Sequence, residues 1–347
     1  MKILHTADWH LDAPLQGYGE ELRKALAAVP GQILEICRQE NCDMVLLAGD
    51  IFDGAYTYHT YQNLFDVLQA IQVPVFITPG NHDFCSSDSP WTKELWPANV
   101  HIFKNNAMES VVLPGLNTRV YGAGFSAMDC PALLEGFRAD CEETYAVGIF
   151  HGDPTMVNSP YNPITKQQVQ QCNLDYLALG HIHKAGSMQA GKTLCAWPGC
   201  PMGKGYDETG EKGVYIVDLQ DTASLRFYPL DTPRFYDLLS EPKDLGNVLP
   251  AVGNENYYRI TLTGSCEKPD LTALQAEFAQ FPHLILRDKT TRPVDIWGSL
   301  GQDSFEGVYF GLLRKALDTA REEEKQEILL AARLSRQLLE GQEVVLP

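Results

Sequence analysis

Seven side chains of the types that bind metal ions stand in five short motifs within the first 183 residues of this 347-residue chain. The motifs read D-W-H at 8–10, G-D-I-F-D at 49–53, G-N-H-D at 80–83, H-G at 151–152 and G-H-I-H at 180–183. Aspartate, histidine and asparagine together suit borderline-to-hard divalent ions, and this many ligands exceed what one ion needs. The residue types therefore predict a hydrolytic centre that holds two metal ions. The candidate metal ligands are Asp8, His10, Asp50, Asn81, His151, His181 and His183.

Four of the motifs stand where an apolar run ends. The runs cover residues 44–48, 73–77, 145–150 and 174–179, and they are rich in Val, Ile, Leu or Phe. Such runs are typical of buried strands. Neighbouring strands that end together place their last residues at one rim of a sheet, where α/β proteins build their sites. The pattern therefore predicts that the ligands converge on the rim of a sheet.

The order of the motifs resembles that of the calcineurin-like metallophosphoesterase family, over roughly residues 1–220. Within this family, the stretches HTADWHLDAP at 5–14, LGHIHK at 179–184 and WPGCP at 197–201 resemble the nuclease subunit of SbcCD. The stretch GYDETGEKG at 205–213 is similar to the YhaO-like DNA repair exonucleases. The resemblance implies an α/β (α+β) fold in which a two-sheet β-sandwich is flanked by helices. It also implies two divalent ions, with Mn²⁺ expected and Fe²⁺ or Zn²⁺ able to satisfy the same ligands.

The same resemblance implies a role for each site residue. His82 is expected to donate a proton to the leaving oxygen, with Asp53 orienting it and keeping it protonated. Asp83 is expected to brace the turn. Asp50 is expected to bridge the two ions, because a carboxylate has two oxygens. One ion is expected on Asp8, His10, Asp50 and His183, and the other on Asp50, Asn81, His151 and His181.

Two positions depart from the family patterns. Gly54 follows Asp53, where the protein Ser/Thr phosphatases of this family carry a phosphate-binding arginine. This difference disfavours a protein phosphatase. Cys200 stands where the nuclease relatives more often have Ser or Asn, and the sequence assigns it no role.

The net charge bears on the choice of substrate. Forty-five Asp and Glu residues against 27 Lys and Arg give a formal charge of −18, which opposes attraction to a DNA backbone. The expected function is a DNA exonuclease or endonuclease subunit, for DNA repair, that obtains part of its DNA affinity from an SMC-like ABC ATPase of the SbcC type. The alternative is a small-molecule phosphodiesterase or nucleotidase of the same superfamily, which the acidic charge would suit. A scaffold with a degraded site is disfavoured, because every ligand and His82 are present.

Three segments are expected along the chain: a metallophosphoesterase catalytic domain at 1–225, a small α/β capping domain at 230–298 and a C-terminal helical segment at 303–347. In the last segment Phe305, Tyr309 and Leu312 are candidate apolar anchors for the ATPase. A homodimer stays open, because the nuclease relatives dimerise through the catalytic domain.

Cysteine content and hydropathy bear on location. Nine cysteines are an odd number without a C-x-x-C pair, which indicates reduced thiols. The sequence has no apolar run long enough to span a bilayer. The expected location is the cytoplasm, without membrane association.

Overall fold

The structure is a computed structural model that describes residues 1–293 and 295–341. The chain divides into two compact units. The first consists of Met1–Asp237 together with Glu255–Tyr258, and the second of Leu238–Asn254 together with the described residues from Arg259 onward. The three-part division expected from the sequence stays a prediction. Val294 of its second part and residues 342–347 of its third lie outside the described residues.

Two six-stranded sheets form the first unit. In the first sheet the spatial order is β12 (Ala223–Pro229), β11 (Gly213–Leu219), β1 (Lys2–Thr6), β2 (Met44–Ala48), β3 (Val75–Thr78), β4 (Val100–Ile102). In the second it is β5 (Glu109–Leu113), β6 (Thr118–Gly122), β7 (Tyr145–His151), β8 (Tyr176–Gly180), β10 (Thr193–Trp197), β9 (Gly186–Ala190). Strands β1 to β4 run parallel to one another, as do β6, β7, β8 and β10.

The core of the first unit lies in three layers. Side chains of both sheets meet in one apolar cluster, in which Leu46 and Phe76 of the first sheet join Val147 and Tyr176 of the second. A second cluster covers the outer face of the first sheet with helices α1 (Gly19–Gln39) and α2 (Tyr58–Ala70). A third covers the second sheet with α4 (Lys166–Gln171), and α3 (Pro90–Lys93) is a single turn. The sheets are therefore buried on both faces, which explains why β2 is apolar throughout. This is the two-sheet sandwich flanked by helices expected from the sequence.

Helix α1 differs from the sequence prediction in one respect. Pro30-Gly31 predicts a kink or a split, because proline removes one backbone hydrogen bond inside a helix. The structure has one continuous helix across Pro30. Burial of Leu26, Val29 and Ile33 on the face that packs on the sheet offsets the missing bond.

The remaining strands form a three-stranded sheet, and the remaining α-helices are two short ones and two long ones. The sheet order is β13 (Phe235–Ser240), β14 (Tyr257–Leu262), β15 (Leu284–Asp288), and the helices are α5 (Leu245–Val248), α6 (Leu271–Glu277), α7 (Phe305–Thr319) and α8 (Glu322–Leu339). The sequence pattern predicts helical stretches at 243–251 and 269–280, and the α-helices of the structure, α5 and α6, are shorter than these. Among the described residues, no helix combines the length and apolar character needed to cross a membrane.

Gly180, the last residue of β8, packs closely against the end of β2 in the first sheet. A Cβ atom at this position would lie 1.8 Å from the carbonyl oxygen of Ala48 and 3.0 Å from the Cβ of Ala7. We expect Gly180→Ala to lower the free energy of unfolding by about 3 kcal/mol, because the obstructing atoms belong to backbone and core. Urea unfolding followed by circular dichroism measures this change.

Gly31→Ala is the matched control. Gly31 lies inside α1, and an added Cβ meets nothing within 4 Å. Alanine should therefore raise the free energy of unfolding by about 0.5–1 kcal/mol, through its better helix propensity. Equal stability of the Gly180→Ala and wild-type proteins would contradict the tight approach of the sheets.

Candidate metal centre

The first two motifs lie in loops that continue adjacent parallel strands. Asp8 follows the end of β1, and Asp50 follows the end of β2. The backbone N–H of Asp8 donates to the carbonyl oxygen of Gly49 at 3.0 Å, and the N–H of His10 donates to that of Asp50 at 2.9 Å. These bonds extend the pairing of the strands into the loops. The two carboxylates are therefore placed by backbone structure.

The other motifs come from both sheets. Asn81 follows β3 of the first sheet, whereas His151 ends β7 and His181 follows β8 of the second. The sequence pattern predicts ligands along the rim of a sheet. The structure instead gathers them where the rims of two sheets lie side by side, because the sandwich aligns the strand ends of both.

Four candidate ligands have a backbone conformation that non-glycine residues rarely adopt. The φ angles are 55° at Asp8, 49° at His10, 52° at Asp50 and 93° at His181. Left-handed backbone costs energy in residues with a Cβ and concentrates at functional sites. Gly49 is also required, since its φ is 88° and an added Cβ would lie 2.3 Å from Nδ1 of His151. Local strain here is offset by the surrounding core.

The structure brings ligand atoms of two groups of predicted metal ligands within 4.8 Å of one another. One group is Asp8, His10 and His183, and the other is Asp8, Asp50 and His151. Oδ2 of Asp50 lies 3.8 Å from Nε2 of His10 and 3.4 Å from Nε2 of His151, so this carboxylate faces both groups. Asp8 is shared by both as well. The bridging role of Asp50 stays a prediction.

Three of the histidines have one ring nitrogen engaged by a protein oxygen, which leaves the other toward the centre. Nδ1 of His10 lies 2.8 Å from Oδ1 of Asp53, and Nδ1 of His183 lies 2.5 Å from Oε1 of Glu208. Nδ1 of His151 lies 3.0 Å from the carbonyl oxygen of Ala48. Oxygen partners of this kind fix the tautomer in which the second nitrogen can bind a metal. The Nε2 atoms of His10 and His183 face each other at 3.1 Å.

Asn81 and His181 lie at the second group. Oδ1 of Asn81 is 2.9 Å from Nε2 of His151 and 3.2 Å from Nδ1 of His181. The backbone N–H of His181 donates to both carboxylate oxygens of Asp8, at 2.9 and 3.1 Å. His181 is thus held beside the centre, although its ring nitrogens belong to neither tight group.

Electrostatics show that this centre attracts positive charge. Burial lowers the pKa of a histidine, yet Asp50 and Asp8 outweigh burial at His151 and raise its pKa to about 9. Burial opposes ionisation of Asp50, but His151 and His10 hold its pKa below the usual value. Burial, followed by the charge of His151, lowers the pKa of His181 to about 4. His181 is therefore neutral at pH 7, which is the form in which a histidine can bind a metal.

His82 has the exposure and the partner expected of a proton donor. Its side chain is 45% exposed, and Nδ1 lies 3.0 Å from Oδ1 of Asp53. The hydrogen bond to Asp53 raises the pKa of His82 despite partial burial. The backbone N–H of His82 donates to Oδ1 of Asp50 at 2.8 Å, which fixes the loop at the centre. His82 therefore lies at the edge of the cluster.

Asp83 braces the turns, as the sequence predicts. Its Oδ2 accepts from the N–H groups of Ile51 and Phe52, at 2.8 and 3.2 Å, and its Oδ1 accepts from Gly80 at 2.7 Å. Burial and the neighbouring Asp50 raise the pKa of Asp83 to about 7. This side chain joins the second motif to the third without facing the ligand cluster.

Glu208 is a site residue that the sequence pattern does not identify. It lies in the stretch 205–213, which shows a family resemblance but carries no recognised ligand motif. Its carboxylate orients His183, and with Cys200 the three residues form a further group of possible ligand atoms. Burial opposes ionisation, but the bond from His183 and the charge of Lys204 lower the pKa of Glu208 to about 2. Glu208 lies in the loop between β10 and β11, where the sequence has no helical or strand periodicity that could identify it.

A family model described as calcineurin-like phosphoesterase matches residues 1–185, just over half of the chain. The chain belongs to the calcineurin-like phosphoesterase family. The metallophosphoesterase YhaO of Bacillus subtilis strain 168, described as uncharacterized, is 30% identical over 237 residues, which are 62% of this chain and 57% of that protein. The nuclease subunit of SbcCD from the same organism is 28% identical over 260 residues, 63% of this chain and 66% of that protein. The chain thus spans less than two thirds of the length of either relative.

Two solved structures are similar to part of the chain at low identity. A dimetal phosphatase from Danio rerio is 14% identical, covers 66% of this chain and 99% of its own, and has a TM-score of 0.44. The protein TT1561 of Thermus thermophilus is 14% identical, covers 65% of this chain and 98% of its own, and has a TM-score of 0.41.

The residues present fit divalent metal ions, which this family implies. Asp8 and Asp50 are each 1% exposed, and buried carboxylates need compensating positive charge. The facing Nε2 atoms of His10 and His183 offer lone pairs to a shared cation. Carboxylate, imidazole and amide donors together match ions such as Mn²⁺, Fe²⁺ or Zn²⁺.

We expect Asp50→Asn to reduce phosphodiesterase activity by more than about 10³-fold and to lower bound metal from about two ions per chain towards one or none. The amide can still accept the N–H of His82, so the loop should persist, while the anionic charge that faces both groups is lost. Elemental analysis after gel filtration measures the metal content.

Asp12→Asn is the matched control for this change. Asp12 lies two residues beyond His10 but is exposed, and it accepts from the N–H of Thr57 at 2.7 Å. This variant should keep full metal content and activity. Unchanged metal content and activity in Asp50→Asn would overturn the ligand assignment.

Proposed function

We propose that this protein is a two-metal phosphodiesterase that cleaves DNA, as the nuclease subunit of a DNA repair complex. The observation that carries the chemistry is the buried ligand cluster with half-exposed His82, paired with Asp53, at its edge. The relationship to a nuclease subunit, at 28% identity, supports DNA as the substrate. Mn²⁺ is the proposed ion.

The side chains divide the work of hydrolysis. Divalent ions bound here would polarise the phosphate and generate the water-derived nucleophile. His82 donates its proton to the leaving oxygen, and Asp53 holds the ring in the orientation for that donation. Asp83 and the backbone bonds between the loops keep the donor at a fixed distance from the ligands. Preorganised groups need little rearrangement as the transition state forms.

Open space beside the cluster supports a long substrate. A cavity of about 410 Å³ adjoins His82 and is lined by Gly54, Tyr56 and Ser86 among others. A second cavity, of about 360 Å³, adjoins His183. One cavity at His82 and another at His183 suit a phosphodiester whose chain continues beyond both of its ester oxygens. Because position 54 is glycine and not the arginine of the phosphatase relatives, no side chain at this position fills the cavity at His82.

The net charge favours a second candidate, a small-molecule phosphodiesterase or nucleotidase. A charge of −18 repels a polyanion but matters less for a small ester. Hydrolysis of linear duplex DNA compared with cyclic or mononucleotide esters separates the two candidates. For the nuclease, additional DNA affinity must come from a partner, and we propose an SMC-like ABC ATPase of the SbcC type. The homodimer and the cytoplasmic location also stay predictions.

Helix α7 supports a partner surface but changes one expected anchor. Phe305, Val308 and Leu312 are 74%, 62% and 62% exposed, at a spacing that puts them on one helix face. Tyr309 is half-buried, and its hydroxyl lies 2.8 Å from that of Ser335 on α8. We therefore propose Phe305, Val308 and Leu312 as the anchors, with Tyr309 holding α7 to α8.

If His82 donates the proton, His82→Ala should slow DNA cleavage by about 10²–10⁴-fold while both ions stay bound. The loss should be much smaller with bis(p-nitrophenyl) phosphate, whose good leaving group barely needs protonation. Steady-state kinetics on both substrates measure the difference. His59→Ala, at an exposed position on α2, is the control and should match wild type. Equal losses on both substrates would make His82 a positioning residue.

The partner proposal is tested by changing the anchors without truncating the chain. We expect the double substitution Phe305→Ser and Leu312→Ser to abolish co-purification with the ATPase from the native host and ATP-stimulated DNA degradation. Hydrolysis of a chromogenic diester should stay unchanged, because the cluster lies in the first unit. Val252→Ser, at a 77% exposed position in the second unit, is the control and should retain the ATPase. Retention by the double variant would place the partner contact elsewhere.

A further inference from the structure

Lys204 is a positive charge at the metal centre that no recognised motif includes. It lies in the loop between β10 and β11, four residues before Glu208. Its side chain is 19% exposed, which is unusual for a lysine. A lysine held this far from solvent has lost part of its hydration and needs a compensating charge.

Glu208 fixes the Lys204 loop to the centre. The backbone N–H of Lys204 donates to Oε2 of Glu208 at 2.8 Å, while Oε1 of Glu208 is bonded to His183. Nζ of Lys204 is 3.9 Å from Oε1 of Glu208, which is an ion pair but too long for a hydrogen bond. The N–H groups of the Lys204 ammonium are therefore available to donate to an acceptor other than Glu208.

Lys204 lies beside one group of candidate ligands. Oε1 of Glu208, its ion-pair partner, contacts Nδ1 of His183, and Nε2 of His183 faces Nε2 of His10 at 3.1 Å. Only Glu208 therefore separates the ammonium from the ligand pair His10 and His183. Lys212 differs, since its Nζ donates to the carbonyl oxygen of His183 at 3.2 Å and it is buried.

Gly54 leaves the phosphate without a cation from the second motif. A phosphodiester in transit to products gains negative charge on its non-bridging oxygens, which a nearby cation stabilises. We propose that Lys204 binds a non-bridging oxygen of the substrate phosphate and supplies, from a different loop, the positive charge that Gly54 cannot. This inference rests on the proposed phosphodiesterase function.

The test compares Lys204→Met with Lys204→Arg in protein loaded with Mn²⁺. Methionine keeps the length and removes the charge, so KM for bis(p-nitrophenyl) phosphate and the inhibition constant of inorganic phosphate should both rise about 10- to 100-fold. Metal content should match wild type. Arginine should restore most of the phosphate affinity, because it restores the charge.

Two further variants separate phosphate binding from support of Glu208. Lys24→Met removes a lysine that also pairs with a glutamate, Glu21 at 3.0 Å, but on the exposed face of α1, and should match wild type. Glu208→Gln should lower metal content by loosening His183. If Lys204→Met loses metal as Glu208→Gln does, Lys204 only supports the ligand shell and the proposal is overturned.

Two further results distinguish failure of the Lys204 proposal from failure of the proposed function. If Lys204→Met keeps wild-type KM and phosphate inhibition, the proposal fails while the phosphodiesterase function stands. If the wild-type protein hydrolyses no diester, the proposed function fails, and calorimetric titration with inorganic phosphate still tests Lys204. Weaker phosphate binding by Lys204→Met than by wild type supports the contact in that case, and equal binding overturns it.

Discussion

Burial of two carboxylates side by side is the constraint on which the rest of this structure depends. Asp8 and Asp50 are almost inaccessible to solvent, and their loops are joined by backbone hydrogen bonds. Like charges in a medium of low dielectric repel strongly unless cations compensate them. The raised pKa of His151 is one consequence of this field. Divalent ions, which this family implies, would supply the rest of the compensating charge.

The architecture supplies the rigidity that this pair requires. Strands β1 and β2 are fully paired and buried between a helical layer and the second sheet, so their loops start from fixed points. Strained φ angles at Asp8 and Asp50 persist only where the surroundings determine them strongly. Asp83 adds three hydrogen bonds that join neighbouring loops. Strain at the centre is therefore stabilised by packing elsewhere in the sandwich.

Sequence patterns predict those parts of the site that follow from strand ends. The run at 44–48 predicts the bounds of β2, because its five residues are uniformly apolar and Gly49 follows them. The second and third motifs likewise stand where the sequence placed them. The second sheet could not be separated from the first, because buried strands of either sheet show the same apolar run. Sequence patterns do not identify Glu208 and Lys204, because both lie in a loop. A loop has no periodicity, and its contacts are set by tertiary structure.

Sequence patterns locate helix ends less well where proline lies in or beside the helix. Helix α1 passes through Pro30 because tertiary burial outweighs one missing hydrogen bond. The segment at 243–251 shows the opposite balance: Pro242–Asp244 form a single 3-10 turn, the α-helix covers only Leu245–Val248, and Pro250 follows two residues later. Local propensity decides when little apolar surface is available to oppose it.

The acidic surface and the cationic requirement of the site act at different distances. Surface charges are screened over about 8 Å at physiological ionic strength, whereas charges inside the centre interact with little screening. In the proposed enzyme, a phosphate that reaches the cluster would experience the bound ions and Lys204 more strongly than the distant carboxylates. The net charge of −18 would then reduce the rate of encounter with DNA without preventing the chemical step. A partner with its own DNA-binding surface would raise the rate of encounter with DNA without taking part in the chemical step. The catalytic centre could then remain a compact, buried cluster.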